Sequence, residues 1–182
     1  MTLIRDNSPN DSGIRPSPRL ATMLPNRANP IDLFERIAIA EHYDYERMSV
    51  GEVHITLPGR WGGHDLTLRW NASSEQLQIF LVLESRSPNG RTDIICRLMS
   101  LLNERLAAGH FDYWERSSSM VYRHNISLCG GAKLSVEQAM DSLATAIKAA
   151  ECGFPASQYV IWAGETPENA LDKALHETAL TA

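Results

Sequence analysis

The segment "EVHITLPGRWGGHDLTLRWNASSEQLQIFLVL", residues 52–83, alternates apolar and polar residues through most of its length, and it decides the fold class. A period of two is typical of a β-strand that buries one face. Two segments rich in turn-forming residues, "PGRWGG" and "NASSE", interrupt the alternation and predict turns. The apolar positions are Val53, Ile55 and Leu57, then Leu66, Leu68 and Trp70, and then Leu77, Ile79, Leu81 and Leu83. The segment therefore predicts a three-stranded antiparallel meander.

The third strand of this meander is apolar on both faces, because Phe80 and Val82 lie between its core positions. Such a strand is usually central in its sheet, or has its second face covered by another element. Residues 110–126 supply two further strands, with a predicted turn around Ser117–Ser119. We therefore expect a larger sheet that contains both the meander and this hairpin.

Helical patterns flank the strands. The helix-start signals are the cap and first turn at Asn29-Pro30, the capping box of Ser135 and Gln138, and the cap at Thr166-Pro167. A further helix over residues 94–106 follows the turn "SPNGR" and stops at Gly109. Pro and Gly near the ends of residues 153–164 predict a short separate segment before the last helix. The order α-βββ-α-ββ-α-α predicts an α+β fold, an antiparallel sheet with flanking helices.

The chain divides into two parts by composition. Residues 1–28 are rich in Pro, Ser, Asn and Arg and have no apolar periodicity, which predicts a flexible N-terminal tail. This tail has four arginines against two aspartates, so a docking arm or a transit-like segment are alternatives to a simple solvated tail. Residues 29–182 are predicted to form a single α+β domain that includes the C-terminal helix.

Composition argues against several classes of function. The 182 residues carry a formal net charge of −5, whereas nucleic-acid binding requires a basic surface for phosphate contacts. The three cysteines form no CxxC pair, which favours reduced thiols in a cytoplasmic protein. No segment approaches the roughly 20 apolar residues that cross a bilayer, and no signal peptide is evident. We therefore expect no nucleic-acid partner, no membrane insertion and no cofactor.

Motifs of enzymes are missing from the sequence. It contains no GxSxG elbow, no Walker loop and no GxGxxG after a strand. The residues with metal-binding chemistry closest to one another in the predicted hairpin are His110, Asp112 and His124, with Cys129 nearby. A turn centred on Ser118 places Asp112 opposite His124, whereas a turn centred half a residue earlier places Phe111 there.

The hairpin has a simpler interpretation as scaffold, which we favour. In that interpretation Phe111 and Tyr113 pack inward, and the imidazole of His110 fixes the corner between helix and strand by a hydrogen bond. Arg123 and Glu115 are candidates for a cross-strand ion pair, worth at most about 1 kcal/mol if it is exposed.

Several motifs in the second half of the chain resemble those of the YbjN-domain family of bacteria. They are "NERL" from Asn103 to Leu106, "GHFD" from Gly109 through His110 and Phe111 to Asp112, "YRH" from Tyr122 through Arg123 to His124, "LCGG" ending in Gly130 and Gly131, and a C-terminal pattern of Pro155, Ala156, Val160, Trp162 and Gly164. The resemblance spans about residues 30–180. It departs from the family pattern at Ser157 and Ala163, which weakens any transfer of partner specificity.

This resemblance implies a fold similar to the class I type III secretion chaperones. Members of the family are described as sensory-transduction or stress-response regulators, without an established catalytic residue, cofactor or ligand, so no catalytic residue transfers. We accordingly expect a non-enzymatic protein-interaction module, and homodimerisation follows by analogy alone. The alternative is a small-molecule or metal-binding sensor or enzyme with its site near His110, Asp112 and His124. The candidate contact residues for a protein partner are Trp61, Phe80, Trp114, Tyr159 and Trp162, since Trp and Tyr anchor interfaces disproportionately.

Overall fold

A computed structural model describes residues 29–83 and 92–179, which form four helices and six strands. The helices are α1 (Pro30–Ala40), α2 (Thr92–Asn103), α3 (Val136–Ile161) and α4 (Pro167–Ala179), and the strands are β1 (Asp44–Ser49), β2 (Glu52–Gly59), β3 (Gly62–Asn71), β4 (Gln76–Leu83), β5 (His110–Trp114) and β6 (Ser119–Ser127). A single 3-10 turn at Cys129–Gly131 lies between β6 and α3. The predicted tail over 1–28 and the predicted turn "SPNGR" lie outside the described residues.

The strands form one antiparallel sheet in the order β1-β2-β3-β4-β6-β5. The predicted meander is present, and β4 lies inside the sheet as its two apolar faces indicate. The sheet also has a strand that we did not predict, β1, which pairs with β2. Most side chains of β1 are exposed, so the strand does not require an apolar residue at every second position. Its sequence therefore lacks the alternation that predicts a strand.

Charged groups and an irregular register mark β1, the first strand of the sheet. The Arg47 guanidinium lies 2.7 Å from a carboxylate oxygen of Glu35 and 3.0 Å from one of Asp32. It also donates hydrogen bonds to the carbonyl oxygens of Ser49 and Val50, at 2.6 Å and 2.7 Å. The pairing of β1 with β2 shifts register between Arg47 and Ser49. Charges and bulges of this kind disfavour the addition of another strand at an edge.

One face of the sheet, which we call the core face, packs against the helices. It consists of the apolar positions that the alternation predicted on β2, β3 and β4, joined by Phe111, Met120 and Tyr122. The buried apolar side chains of the four helices belong to the same cluster. Its members from α1 include Ile31 and Phe34, which are three residues apart and so lie on one face of that helix. The described helices thus share one core with this face of the sheet, and α4 packs on α2 and α3.

The helix-start signals are confirmed. Asn29 caps α1 through the N–H of Ile31, and Ser135 and Gln138 form the capping box of α3. The separate segment that we predicted over 153–164 is wrong, because α3 continues without interruption to Ile161 with Pro155 inside it. Proline in a helix interior removes one backbone hydrogen bond. Here Pro155 and the residues after it are largely buried, so tertiary packing stabilises the helix beyond the proline.

None of the helices in the described ranges combines the length and the apolar composition that a bilayer crossing requires.

Candidate functional site

The second face of the sheet, which we call the outer face, carries an apolar patch that the helical core does not include. Strand alternation turns Phe80 away from the core face, and the same holds for Val121 on the neighbouring strand. Phe80 is 8% exposed and Val121 is 0% exposed, yet neither belongs to the cluster formed with the helices. Val82, opposite Val121, and Trp114 at the edge are exposed. The outer face therefore presents apolar surface that is partly solvent-accessible.

Two arginines frame the aromatic centre of this patch. The ring centroids of Phe80 and Trp114 are 5.9 Å apart, with an interplanar angle of 56°. The guanidinium carbons of Arg69 and Arg123 lie 5.9 Å and 5.5 Å from the Phe80 ring centroid. At these distances both guanidinium groups make cation–π contacts with the ring. The patch thus combines aromatic, aliphatic and cationic surface.

Each arginine is also held by a carboxylate on a neighbouring strand. Arg69 donates to both oxygens of Glu52, at 2.9 Å and 3.2 Å. The hydrogen bond from Arg69 lowers the pKa of Glu52 below its ordinary value, and the same bond raises the pKa of Arg69. Arg123 lies 2.9 Å from Asp112. Because these bonds fix the side chains, binding a partner there costs less conformational entropy.

The hairpin of β5 and β6 has a register that differs from both alternatives considered from the sequence. Asp112 pairs with Val121, and His110 pairs with Arg123. The loop over 115–118 sets this register, because Trp114 pairs with Ser119. The ion pair of Arg123 consequently forms with Asp112 and replaces the predicted pair with Glu115.

The structure does not bring together the residues of the alternative metal or ligand site. Strand alternation places His110 and Asp112 on the outer face, since Phe111 between them belongs to the core face. His124 lies opposite Ile79 and therefore on the core face, while Cys129 is exposed beyond the end of β6. Within the described parts of the chain, no three His, Cys, Asp or Glu side chains form a cluster that could hold a metal ion.

The corner between α2 and β5 is held by groups other than the predicted imidazole. His110 is exposed. Asn103 instead accepts a hydrogen bond from the N–H of Phe111 at 2.7 Å and donates one to the Phe111 carbonyl at 3.1 Å. The Tyr122 hydroxyl donates to the carbonyl of Ala108 at 3.0 Å. Gly109 lies between these contacts with a φ of 73°.

Of His110, Asp112, Arg123 and His124 in the hairpin, only His124 lies on the core face, toward the helices. Burial lowers the pKa of its imidazole, and the negative charge of Asp141 on α3 opposes this effect in part. Its Nδ1 atom is buried and has no hydrogen-bond partner among the described residues. The neutral ring is therefore the form that the fold accommodates.

We expect His124 to make the protein less stable in mild acid. Its pKa is lowered in the folded state, so the unfolded chain takes up the proton first. The contribution is fully present above the ordinary pKa of about 6.5 and is lost as the pH falls through the folded-state value. His124→Gln should flatten the decline of the unfolding free energy between about pH 7 and pH 5, measured by urea denaturation. The exposed His110→Gln is the matched control, and equal slopes in the two variants would refute the assignment.

The remaining candidate contact residues lie away from the patch. Trp61 is exposed in the β2–β3 turn, with the Arg60 guanidinium carbon 5.2 Å from its ring centroid. Tyr159 packs between α3 and α4, where its hydroxyl donates to Glu177. Trp162 caps the C-terminus of α3 and is 76% exposed. The structure therefore brings together two of the five candidates, Phe80 and Trp114.

Sequence reasoning did not identify the charged members of the patch. Arg69 and Arg123 are each one position away from a core residue, so alternation alone places them on the outer face once the strands are assigned. Arg69 lies near Phe80 through the pairing of β3 with β4, within the predicted meander. The position of Arg123 beside Phe80 depends instead on the pairing of β4 with β6, which are separated in sequence by a helix and a further strand. The local sequence carries no signal for that pairing.

Comparisons with known proteins agree on the fold. The family profile described as "YbjN: Putative bacterial sensory transduction regulator" matches residues 30–158. The structure described as "Crystal Structure of the ExsC-ExsE Complex" shares 18% identity at a TM-score of 0.51, over 69% of this chain and 92% of that chain. "Structure of the HopA1-SchA Chaperone-Effector Complex" shares 16% identity at a TM-score of 0.43, over 65% and 88% of the two chains. No curated protein matches the sequence. The predicted fold class, an α+β fold of the type III secretion chaperone kind, is confirmed.

Proposed function

The chain belongs to the YbjN family, and from this membership we propose that it is a non-enzymatic regulator that acts by binding another protein on the outer face of its sheet. The observation that carries the proposal is the patch centred on Phe80. Apolar surface that lies outside the core and is ringed by polar groups is typical of a binding site. The polar groups around the patch include Arg69 and Arg123. Trp and Arg are enriched among the interface residues that dominate binding energy.

The structural comparison supports a protein as the partner. The ExsC-ExsE structure, whose fold this chain shares over most of its length, is by its own description a complex. Among the described residues the helices lie on one face of the sheet, which leaves the second face available to a partner segment. We propose that the present chain uses its outer face in that way, with Trp114 and Val82 making the first contacts because they are exposed.

The family description supports a role in sensory transduction, and we propose a stress-response role within it. The free cysteines Cys96, Cys129 and Cys152 favour a reducing compartment, so we place the protein in the cytoplasm.

We also propose that the protein forms a homodimer. A molar mass of twice the chain mass by light scattering is the expected result, and a monomer at micromolar concentration would contradict it.

A photo-crosslinking experiment tests the partner site. A photoreactive phenylalanine analogue replaces Val82 on the outer face, and in a second variant it replaces Val136 at the start of α3, where the side chain is also exposed. We expect irradiation in the living bacterium to give one defined protein adduct from position 82 and none of equal yield from position 136. Equal labelling from both positions, or none from position 82, would contradict the proposal.

Removing the exposed aromatic side chain tests the energetic importance of the patch. Trp114→Ala should weaken binding of the partner, once it is identified, by tenfold or more, since a central Trp typically contributes about 2 kcal/mol or more. The control is Trp162→Ala, which removes a more exposed tryptophan from the far end of α3. Isothermal titration with the purified full-length proteins measures both affinities. A loss caused by Trp162→Ala and not by Trp114→Ala would move the site to the helical layer.

A further inference from the structure

A groove of 720 Å³ lies between α2 and the edge strand β5, apart from the patch on the outer face. Its floor is apolar, because Met99 and Phe111 line it and are almost fully buried. Its rim is acidic, with carboxylates from Glu104, Asp112 and Glu115. Among the described residues that line it there is no Lys or Arg. The groove is therefore complementary to a segment with alternating apolar and basic side chains.

The backbone edge of β5 faces this groove. β5 is the last strand of the sheet, and the N–H and C=O of Phe111 point away from β6, since both bond to Asn103. In an antiparallel strand the backbone groups of every second residue point to the same side, so Tyr113 also turns its groups outward. Its N–H donates to the carboxylate of Asp112 at 2.9 Å. Side chains thus occupy the positions that a neighbouring strand would take.

We propose that this groove binds an extended basic segment of a partner protein as a seventh strand on β5, and that the segment replaces the Asn103 side chain on Phe111. The carboxamide of Asn103 presents one donor and one acceptor, as a peptide group does. Exchanging it for the backbone of an incoming strand therefore conserves both hydrogen bonds of Phe111. At Tyr113, which the side chain of Asn103 does not reach, the incoming strand would take over the N–H from the Asp112 carboxylate and bond to the carbonyl.

Side-chain alternation gives the segment its chemistry. Residues of an added strand alternate between the two sides of the sheet, so every second side chain points to the floor at Met99 and Phe111. The intervening side chains point toward the acidic rim, where Lys or Arg would pair with the carboxylates. This inference rests on the proposed function only in taking a protein as the partner, because it uses a separate groove that shares with the patch only Asp112, the partner of Arg123.

A titration of the isotopically labelled full-length protein tests the proposal with two peptides. Both have eight residues with blocked ends, one alternating Val and Lys and the other alternating Val and Glu. We expect the Val-Lys peptide to shift the backbone amides of Phe111 and Tyr113 and the side-chain amide of Asn103, with an affinity at least tenfold higher than that of the Val-Glu peptide. Equal affinities would overturn the proposal.

Two sets of variants separate the charge of the rim from the exchange of Asn103. The double variant Glu104→Gln with Glu115→Gln should lower the affinity for the Val-Lys peptide tenfold. The control, Glu41→Gln with Asp172→Asn, removes the same charge at exposed positions elsewhere and should leave that affinity unchanged. Asn103→Ala, if it remains folded, should bind the Val-Lys peptide at least threefold more tightly, because the two bonds of the Asn103 side chain to Phe111 no longer have to break. Weaker binding by folded Asn103→Ala would refute the exchange, and the rim variants decide the matter if that variant unfolds.

The same spectra distinguish this proposal from its competitors. Changes in the backbone amide signals around Phe80 and Trp114, without changes at Phe111, would contradict binding in the groove. They would agree with the proposed binding on the outer face. A synthetic peptide of residues 1–28 serves as a third probe, since that part of the chain carries four arginines. If it occupies the groove more tightly than the Val-Lys peptide does, the occupant is the chain itself, and the proposal of a partner segment is overturned.

Discussion

Gly109→Ala is expected to lower the free energy of unfolding by about 3 kcal/mol, the larger of the two stability effects that we predict. Gly109 has a φ of 73°, a conformation that costs an alanine about 1 kcal/mol or more. An added Cβ would lie 2.4 Å from the hydroxyl oxygen of Tyr122 and 2.7 Å from the carbonyl oxygen of Arg123. The buried Tyr122 ring would have to move, and its hydrogen bond to Ala108, worth about 1 kcal/mol, would be lost.

Gly130→Ala is the matched control for this prediction. Gly130 has nearly the same backbone conformation, with a φ of 76°, but an added Cβ would have open space around it. Gly130→Ala should therefore lower the free energy of unfolding only by the cost of holding alanine at a positive φ, about 1 kcal/mol. Urea denaturation of both variants at neutral pH measures the difference. If the two substitutions cost the same, the corner around Tyr122 is looser than the structure describes.

Glu151→Ala is expected to destabilise the protein by about 2–3 kcal/mol. Its carboxylate, on α3, accepts a hydrogen bond from the ring of His64 at 3.0 Å and one from the backbone N–H of Arg60 at 2.7 Å. The His64 side chain is only 8% exposed, and that of Glu151 only 13%. Truncating Glu151 leaves a buried ring nitrogen without its acceptor, which carries a full desolvation cost. The fold would lose the polar link between the β2–β3 hairpin and α3 that Glu151 provides.

The double variant His64→Leu with Glu151→Leu tests whether the loss comes from the orphaned partner. Replacing both members of a buried pair by apolar residues of similar volume is often nearly neutral. We expect the double variant to recover at least half of the stability lost in Glu151→Ala, measured by thermal and urea unfolding. Asp141→Ala, an exposed carboxylate on the same helix, is the control and should change stability by less than about 0.5 kcal/mol. A double variant as unstable as the single one would assign the loss to packing.

Local signals predicted much of this fold. The alternation over 52–83 determined three strands and their buried positions, and the two apolar faces of β4 placed it inside the sheet. The caps at Asn29 and Ser135 determined where two helices begin. These features depend on residues close in sequence, which is why they can be read from a single chain.

The features that could not be predicted depend on contacts distant in sequence. β1 has few buried side chains, and its position is set by pairing with β2 and by the bonds of Arg47. Pro155 is a local helix breaker, but its surroundings are buried in the core and α3 continues past it. The loop "ERSS" at 115–118 contains no Gly or Asn to specify a turn type, so the register that joins Arg123 to Asp112 was open.

The features of β1 that disfavour strand addition affect how copies of the sheet could assemble. A sheet with two usable edges can add copies at both and grow into an open-ended ribbon. Here Arg47 and the register shift disfavour addition at β1, whereas a strand can add at β5 once it displaces the Asn103 side chain from Phe111. Whatever strand binds at β5, whether from a partner or from a second copy related by a two-fold axis, consumes that edge. Association of two copies through β5 would therefore leave only the β1 edges, and the features of β1 disfavour further growth by strand addition.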